Sequence, residues 1–385
     1  MFKLLKNAEC YAPEYLGRQD ILVVFEKIVK ISPNISKEYL LYEHLPHLEI
    51  IECEGKIACP GFIDQHVHIS GGGGEQGPQS SIAPISMETL ITAGITTVVG
   101  VLGADAIGKS MQGLLMKARS LEEDGLTTYI YAGHYGIPPV TITGRVLTDI
   151  ALIDKIIGAG EIAISDFRSS YPSQQELIKL AHEALTGGLL GKKAGVVHLH
   201  VGDGKEGLGP LLELLERTDF PISMFVPTHL NRNKPLFKQA VQYWANGGNI
   251  DLTAGENTTA GCCVPDCLQQ LLGIGNELER ITVSSDGNGS GAGVSHTEVG
   301  SVMTLFNDIK TAVHDQRMPL EKVLRTVTSN VAKVLKLNPA KGQLAEGSDA
   351  DIMLLDSNSF TLDMLLARGR LLVEGGKAKG EKAFG

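Results

Sequence analysis

The sequence has no hydrophobic run long enough to cross a membrane. No stretch approaches the ~18 apolar residues that a transmembrane helix needs, and residues 1–17 mix polar and apolar side chains without the apolar core of a signal peptide. It also has no excess of basic charge, because 34 Lys and Arg stand against 44 Asp and Glu without a block of like charge. We therefore expect a cytoplasmic protein that binds neither membranes nor nucleic acid.

Cysteine is scarce in this chain of 385 residues. Six cysteines do not make a disulfide framework in a chain this long, so we expect reduced thiols. Cys262, Cys263 and Cys267 lie close together but lack the second Cys or His pair of a zinc finger. The nucleophile motif G-x-S-x-G is absent, and His182-Glu183 lacks the second histidine of H-E-x-x-H. Neither serine hydrolysis nor a zincin-type site finds support.

The motif that organises the rest of the chain lies in residues 61–74. An apolar run there ends in His66-Val-His68 and continues into four glycines. Side chains at i and i+2 of a strand point the same way, so both histidines can reach one metal ion, and the glycines let backbone approach a ligand. Two hydrogen-bonded core histidines would give the same pattern. The choice between them depends on ligands elsewhere in the chain.

From residue 61 to about residue 290 the sequence alternates β-rich and helical segments. This alternation is typical of βα units and a parallel sheet, which makes the fold α/β. Eight strands close a TIM-like (β/α)8 barrel, and eight β-rich runs can be counted here. They lie at residues 61–70, 96–103, 127–135, 161–165, 196–201, 222–229, 249–254 and 281–285.

Three of the helices between and after these strands have identifiable start signals. Ser173 and Glu176 form a capping box, and Gly187 is placed to end that helix. Pro235 and Pro319 can each occupy the first position of a helix, and the apolar face that follows Pro319 continues to residue 334. We expect these helices to cover the outside of the barrel.

Both ends of the chain are β-rich. The runs lie at residues 21–25, 48–51, 351–355 and 370–374. Neither end has enough strands to bury a face alone, so we expect the two ends to pair. The predicted organisation is a small β-sandwich domain composed of residues 1–58 and 341–385, beside a barrel domain of residues 59–340.

Side chains that bind metals end several of the predicted strands, where barrel active sites lie. His198 and His200 end the fifth strand, His229 the sixth and Asp286 the eighth. Imidazole and carboxylate suit zinc first, with manganese, cobalt and iron as alternatives. Even if only one of His198 and His200 is a ligand, four histidines and an aspartate exceed the needs of one catalytic ion, so we expect two ions. Glu161 on the fourth strand can bridge them, although it stands at the beginning of its run and not at the end. A strand that starts earlier, near Ile156, would accommodate this, and a surface carboxylate after Gly160 fits the spacing equally.

Longer motifs occur in order through nearly the whole chain. They are Asp-Gln-His-Val-His-Ile-Ser-Gly-Gly-Gly-Gly-Glu-Gln-Gly-Pro at 64–78, Thr-Ile-Thr-Gly at 141–144, Ile-Ser-Asp-Phe-Arg-Ser at 164–169, Gly-Gly-Leu-Leu-Gly at 187–191, Pro-Thr-His-Leu-Asn-Arg-Asn at 227–233 and Ser-Ser-Asp-Gly-Asn-Gly-Ser at 284–290. With these motifs the chain resembles the metal-dependent amidohydrolase superfamily and, more narrowly, the isoaspartyl (β-aspartyl) dipeptidase family. The resemblance implies a homo-oligomeric hydrolase that cleaves the isopeptide bond of small dipeptides.

The resemblance also implies a set of metal ligands for two divalent ions, for which zinc is the first candidate. They are His66, His68, Glu161, His200, His229 and Asp286. One ion would be held by His66 and His68 and the other by His200 and His229. Glu161 falls where the family commonly has a carbamylated lysine, and it would bridge the ions without carbon dioxide. His198 shares a strand face with His200, so whether it contributes to the site stays open.

In the reaction that the resemblance implies, a hydroxide that bridges the metals attacks the isopeptide carbonyl. Asp286 would take its proton as general base and pass it to the leaving amine as general acid. Tyr135, after the third strand, would donate a hydrogen bond to the developing oxyanion.

A β-aspartyl dipeptide presents an ammonium group, two carboxylates and an isopeptide carbonyl to its site. Glu75 would take the ammonium, and Arg168 and Arg232 would hold carboxylates through bidentate forks. Ser290 would add a hydroxyl contact, whereas Ala104, where the family often has threonine, could offer only backbone. The residues that the resemblance assigns to substrate are Gly73, Gly74, Glu75, Ala104, Tyr135, Arg168, Arg232 and Ser290.

Two other functions are compatible with parts of this pattern. Cyclic-amide hydrolysis, as in dihydroorotases and hydantoinases, uses the same metal chemistry. The set of Glu75, Arg168 and Arg232 argues against it, because a ring amide has no free ammonium. A catalytically inactive, metal-free scaffold is the alternative outside enzymes, and it is disfavoured because every ligand position holds a side chain that can bind metal.

Overall fold

The computed structural model describes residues 2–35, 48–256, 261–275, 277–290 and 299–379. The strands are β1 (Phe2–Tyr11), β2 (Tyr15–Val24), β3 (Lys27–Ser32), β4 (Leu48–Glu52), β5 (Lys56–Pro60), β6 (Phe62–Val67), β7 (Ile95–Gly100), β8 (Thr127–Ala132), β9 (Ile156–Ile164), β10 (Val196–Val201), β11 (Phe225–Thr228), β12 (Ile250–Thr253), β13 (Ile281–Ser284), β14 (Ile352–Asp356), β15 (Leu362–Ala367), β16 (Arg370–Glu374) and β17 (Lys377–Ala378).

The α-helices are α1 (Met87–Ile91), α2 (Met111–Asp124), α3 (Val146–Leu152), α4 (Gln174–Gly191), α5 (Gly209–Arg217), α6 (Lys234–Ala245), α7 (Val264–Gly275), α8 (Met303–Lys310), α9 (Leu320–Arg325) and α10 (Ser329–Val334). Short 3-10 turns occur at Pro78–Ser80 and Ile222–Met224, and a π-helical turn occurs at Thr311–Asp315. In the ranges given above, every helix is too short or too polar to span a bilayer. The six cysteines are free thiols.

The two ends of the chain meet in one sheet of nine strands. Strand β5 runs antiparallel to β14, with Ile57 opposite Leu355, and this ladder joins β1 to β5 with β14 to β17. One buried apolar cluster takes side chains from both ends, among them Leu5, Ile21 and Ile352. The pairing of the chain ends that the sequence predicts is therefore present.

Strands β6 to β11 form a parallel sheet in chain order, and β12 pairs in parallel with β13. Contacts join the two ladders at both seams. The Leu230 amide, just after β11, donates to the Asp251 carbonyl of β12 at 3.3 Å, and Val67 of β6 forms a parallel bridge with Gly287, just after β13. The parallel sheet is thus curled and TIM-barrel-like. Each of its eight strands falls on a run that the sequence predicts.

The fourth of these strands begins earlier than its apolar run indicates. Strand β9 starts at Ile156, because Gly158 and Ala159 already pair with both neighbouring strands. Glu161 therefore lies inside the strand, and its side chain is fully buried. The alternative in which Glu161 is a surface carboxylate is wrong.

Helix α4 begins with the predicted capping box, in which the Ser173 and Glu176 side chains each accept from the other's backbone amide. The prediction that Gly187 ends this helix is wrong, because the helix continues to a left-handed Lys192. Gly187 serves close packing instead. A Cβ at this position would lie 2.8 Å from the Leu147 carbonyl oxygen of the neighbouring helix α3.

Pro235 and Pro319 both stand at helix starts, but neither occupies the predicted first position. Pro235 is the second residue of α6, and Pro319 is the N-cap of α9. The apolar run after Pro319 forms two helices, α9 and α10, rather than one. In the break between them, the Thr328 hydroxyl donates to the Leu324 carbonyl at 2.6 Å. Threonine side chains that bond to nearby backbone in this way compete with helical hydrogen bonds and bend helices.

Candidate active site

The C-terminal ends of the parallel strands converge on one cluster of imidazoles and carboxylates. The four histidines and Glu161 are at most 5% exposed, whereas the Asp286 side chain is 21% exposed. The cluster contains every residue that the sequence predicts as a metal ligand, and we call it the ligand cluster: His66, His68, Glu161, His200, His229 and Asp286.

One carboxylate oxygen of Glu161, Oε2, faces the two histidines of the β6 end. His66 Nε2 lies 3.4 Å from Glu161 Oε2 and 3.4 Å from Asp286 Oδ1. His68 Nε2 lies 3.2 Å from Asp286 Oδ1 and 3.9 Å from Glu161 Oε2. His66, His68 and Asp286 form a group whose ligand atoms all lie within 4.8 Å of one another.

The other oxygen of Glu161, Oε1, faces the histidines of the β10 and β11 ends. It lies 2.7 Å from His200 Nδ1 and 3.5 Å from His229 Nε2. Glu161 and His229 also form a compact group of possible ligands with His66. The Glu161 carboxylate thus stands between two pairs of imidazoles, with one oxygen toward each pair.

Three buried atoms of the cluster have no hydrogen-bond partner among the described residues. They are His68 Nδ1, His66 Nε2 and Glu161 Oε2, of which the last two face each other. Buried polar groups normally have a partner, and imidazole nitrogen and carboxylate oxygen are both zinc ligands. The residues of the cluster therefore fit a divalent cation.

The other ring nitrogen of His66 is held by His198. His198 Nε2 lies 2.8 Å from His66 Nδ1, and the His198 ring stacks on Tyr131 with 4.9 Å between ring centroids. This contact fixes the His66 ring with Nε2 turned toward Glu161, as the outer partners of metal ligands commonly do. His198 thus lies behind the ligand cluster, in contact with a ligand position.

The charges of the cluster shift the pKa values of its members. Burial lowers the pKa of His66, but the charges of Glu161 and Asp286 outweigh it and raise that pKa to about 9. Burial raises the pKa of Glu161, yet the neighbouring imidazoles, His66 first, hold it well below its usual range. The pKa of Asp286 is also lowered, because its hydrogen bond with His68 and the nearby imidazoles outweigh burial. Both carboxylates are therefore ionised at neutral pH, which is the form that binds cations, and a cation bound by His66 would displace its proton.

The loop after β13 is tied to the loop after β6, and this places Asp286. The Asn288 side chain donates to the carbonyls of His68 at 3.1 Å and Ala83 at 2.8 Å. Asp286 itself adopts a left-handed backbone conformation, with φ of 50°, which is uncommon outside glycine and is found at functional sites. Gly289 is needed beside it, because a Cβ there would lie 2.6 Å from Asp286 Oδ1.

Three of the predicted substrate residues meet at the mouth of the site. Ser290 Oγ donates to Glu75 Oε1 at 3.0 Å, and Arg168 Nη1 lies 3.6 Å from the same oxygen. The Arg168 guanidinium also lies over the Tyr135 ring, 5.1 Å from its centroid.

Tyr135 and Arg232 both contact His200. The Tyr135 hydroxyl lies 3.0 Å from His200 Nδ1, and Arg232 Nη1 lies 3.4 Å from His200 Nε2. Arg232 is 8% exposed, so it is part of the site wall.

The predicted backbone positions lie in the same loops. Gly73 and Gly74 have φ of 70° and 99°, and a Cβ at Gly73 would lie 2.2 Å from the Ser80 carbonyl oxygen. These glycines are therefore required by the folding of the loop on itself. Ala104 follows Gly103, whose carbonyl accepts from the Tyr135 amide at 3.3 Å.

Two buried carboxylates of the site are missing from the residues that the sequence predicts. Asp166 lies 2.9 Å from His200 Nε2, and Glu256 lies 3.4 Å from Arg232 Nε. Burial raises the pKa of Glu256, and Arg232 opposes this only in part. Asp166 stands in the motif at residues 164–169, which could have pointed to it, whereas Glu256 follows β12 without a comparable signal.

A curled parallel α/β sheet with histidines, a glutamate and an aspartate converging at its strand ends defines the class of metal-dependent amidohydrolases. In agreement, a sequence model of the amidohydrolase family matches residues 286–374. The chain is 40% identical to the β-aspartyl dipeptidase of the keratin-degrading thermophile Fervidobacterium islandicum AW-1, with 100% of both chains covered and a TM-score of 0.92. A second structure of that enzyme contains the β-Asp-Leu dipeptide and has a TM-score of 0.91. The chain belongs to the β-aspartyl dipeptidase family of the amidohydrolase superfamily.

More distant relatives share the fold. D-hydantoinase from a Thermus species is 18% identical over 99% of this chain and 97% of that one, with a TM-score of 0.70. The dihydroorotase of Aquifex aeolicus is 49% identical over 53 residues, which are 14% of this chain and 11% of that protein. The chain spans half or less of the dihydroorotases it matches, since the share reaches 49% for the Lactobacillus johnsonii protein.

Proposed function

We propose that this chain is a metallohydrolase that cleaves the isopeptide bond of β-aspartyl dipeptides with two divalent ions. Zn²⁺ is the first candidate for these ions. The observation that carries the proposal is the Glu161 carboxylate between two pairs of imidazoles, with Oε2 toward His66 and Oε1 2.7 Å from His200 Nδ1. It occurs in a chain that is 40% identical over its whole length to a β-aspartyl dipeptidase.

The proposed ligand sets follow from the two sides of Glu161. One ion would lie on the side of Glu161 Oε2, held by His66, His68 and Asp286. The other would lie on the side of Glu161 Oε1, held by His200 and His229. Zinc is proposed because all of these donors are imidazole nitrogens or carboxylate oxygens. Bound divalent cations supply Lewis-acid polarisation of a carbonyl and a water that is nucleophilic at neutral pH.

Two side chains of the site are proposed to move or hold protons. Asp286 is ionised and partly open to the cleft, so it can take a proton from the attacking water and return it to the leaving amine. Burial, with the charge of Glu161, raises the pKa of Tyr135 well above its usual range. Its hydroxyl therefore keeps its proton and can donate to the developing oxyanion.

The charges at the mouth match those of the proposed substrate. Glu75 would bind the ammonium, assisted by Ser290, and Arg168 and Arg232 would bind the carboxylates. The Nε and Nη2 groups of Arg168 already donate to Asp166, so the substrate would meet the edge of Arg168 that carries Nη1. The backbone of Gly73, Gly74 and Ala104 would complete the walls.

For the architecture we propose a complete (β/α)8 barrel over residues 59–340 and a composite β-sandwich of residues 1–58 and 341–385. The contacts at both seams of the parallel sheet support the barrel. The sandwich is supported by strand β1, which pairs with β4 along Phe2 to Lys6 and with β5 at Glu9 and Cys10, with a register shift between the two parts. A homo-oligomer is proposed on the family resemblance, and a cytoplasmic location on the six free thiols.

The function is tested by comparing hydrolysis of β-Asp-Leu, α-Asp-Leu and dihydroorotate, with metal content measured on the same sample. We expect β-Asp-Leu to be cleaved with a kcat/KM at least about 100-fold above that of the others. Dihydroorotate lacks the ammonium group, and α-Asp-Leu carries the same charges but at different distances from its peptide carbonyl. A preference for dihydroorotate would support cyclic-amide hydrolysis instead. Protein that binds no metal and cleaves none of the three would support the inactive scaffold.

A further inference from the structure

Asp166 is a buried carboxylate, 4% exposed, for which the proposed reaction has no direct use. Its oxygen Oδ2 lies 2.9 Å from His200 Nε2 and accepts from Arg168 Nη2 at 2.9 Å. Its oxygen Oδ1 accepts from Arg168 Nε at 3.0 Å and from the Arg168 backbone amide at 2.8 Å. One carboxylate thus joins a ligand of the proposed metal centre to an arginine of the proposed substrate site.

The contact of Asp166 with His200 determines which ring nitrogen of that imidazole is available to bind a metal ion. With Nε2–H donated to Asp166, the lone pair of His200 lies on Nδ1, the nitrogen 2.7 Å from Glu161 Oε1. Arg168 Nη2 and Arg232 Nη1 lie 3.3 and 3.4 Å from the same Nε2. Without the carboxylate, a ring N–H would face two cationic groups, so the ring would lose its preferred orientation.

The contacts of Asp166 with Arg168 determine which edge of the guanidinium remains free for substrate. Asp166 occupies the fork formed by Nε and Nη2. The guanidinium also lies over the rings of Tyr135 and Phe167, at 5.1 and 5.5 Å from their centroids. Both constraints leave Nη1 directed toward Glu75, at 3.6 Å. The side chain is therefore held in one orientation before any substrate binds.

We propose that Asp166 is a positioning residue that sets His200 for metal and Arg168 for substrate through the same carboxylate. This role rests on the proposed function for its substrate part. It predicts that one substitution at Asp166 weakens metal binding and substrate binding together, whereas a substitution at Arg168 weakens substrate binding alone.

The test uses Asp166→Asn, which keeps the size of the side chain, with Asp203→Asn as matched control. Asp203 is an exposed aspartate just past β10, whose side chain accepts from Asn233 at 3.0 Å. Competition for Zn²⁺ against a chromogenic chelator should show a loss of about 10- to 100-fold in affinity for Asp166→Asn and no loss for Asp203→Asn. KM for β-Asp-Leu should rise about tenfold in Asp166→Asn, since charge-assisted hydrogen bonds that order Arg168 are lost.

Arg168→Gln separates the two effects. Alone it should raise KM with Zn²⁺ affinity unchanged. Adding Asp166→Asn to it should lower Zn²⁺ affinity by the same factor as in the wild-type background, with no further rise in KM. Wild-type Zn²⁺ affinity in Asp166→Asn would overturn the role at His200, and a wild-type KM would overturn the role at Arg168.

Two further measurements test the role of Asp166 independently of Asp166→Asn kinetics. Asp166→Glu, which keeps the charge, should lie between wild type and Asp166→Asn in both Zn²⁺ affinity and KM, and it serves if Asp166→Asn does not fold. A crystal structure of the folded variant should show the Arg168 guanidinium displaced from its place over the Tyr135 and Phe167 rings. An unmoved guanidinium would overturn the role at Arg168 without any activity assay. Wild-type protein that binds Zn²⁺ but leaves β-Asp-Leu intact would contradict the proposed function, while the affinity comparison would still decide the role at His200.

Discussion

The ligand cluster and the mouth of the site are built in different ways. Members of the cluster lie within strands or within two residues of a strand end, and all but Asp286 are at most 5% exposed. At the mouth, Glu75 and Arg168 lie on loops and their side chains are 18% and 17% exposed. Ladder hydrogen bonds fix the first set, whereas contacts between loops fix the second. Changes in the cluster should therefore remove turnover or metal, and changes at the mouth should weaken substrate binding.

The largest effect is expected for Asp286→Asn in the cluster. The neutral amide cannot accept a proton, a role that typically contributes 10²- to 10⁴-fold to the rate, and it is a poorer metal ligand. We expect kcat to fall by about that factor while the circular dichroism spectrum stays that of the folded protein. A variant that keeps more than about a tenth of the wild-type kcat would show that Asp286 lacks this role.

A smaller effect, confined to substrate, is expected for Arg232→Lys. One point charge replaces a planar fork, so kcat/KM for β-Asp-Leu should fall about tenfold or more with the metal content unchanged. Arg217→Lys is the control, because Arg217 pairs with Glu213 on the exposed face of α5 and should behave as wild type. An unchanged kcat/KM in Arg232→Lys would place Arg232 outside the substrate site. A loss of metal would contradict the expectation that changes outside the ligand cluster affect substrate binding alone.

The smallest effect is expected for Ser290→Ala at the mouth. Its hydroxyl donates to Glu75 Oε1 at 3.0 Å, and one such hydrogen bond is worth about 0.5–1.5 kcal/mol, or roughly 2- to 10-fold in KM. Steady-state kinetics with β-Asp-Leu should show this rise in KM and an unchanged kcat. Ser359→Ala, in a turn around Asp356 of the chain-end sheet, is the control. A fall in kcat as large as that of Asp286→Asn would assign Ser290 to the chemistry.

The strand ends of the parallel sheet could be predicted from the sequence, because parallel strands share one polarity and their last residues meet at one edge. That rule alone brought His200, His229 and Asp286 to the same place as His66. The start of β9 was harder to predict, since Gly158 and Gly160 interrupt the apolar run ahead of Glu161. Glycine is depleted in strands, so this segment lacks the usual strand signal.

Other features depend on contacts between elements and leave little trace in the sequence. Gly187 looks like a helix stop, but it is used for close approach of α4 to Leu147. His198 looks like a second ligand on the His200 strand, but it holds His66 from behind. The contact of Asp166 with His200 could not be predicted, because the two residues are distant in the chain and meet only when β9 and β10 lie side by side.

The most direct test of the proposed two-ion centre with Glu161 as bridge is anomalous diffraction from crystals reconstituted with Zn²⁺ without bicarbonate, for wild type and Glu161→Ala. We predict two zinc peaks in the wild type, one on each side of the Glu161 carboxylate, and full activity without bicarbonate, because no lysine needs carbamylation. In Glu161→Ala at least one peak and the activity should be lost together, since two cations without a shared anion repel each other. A single wild-type peak, or two full peaks with normal turnover in Glu161→Ala, would contradict the bridge.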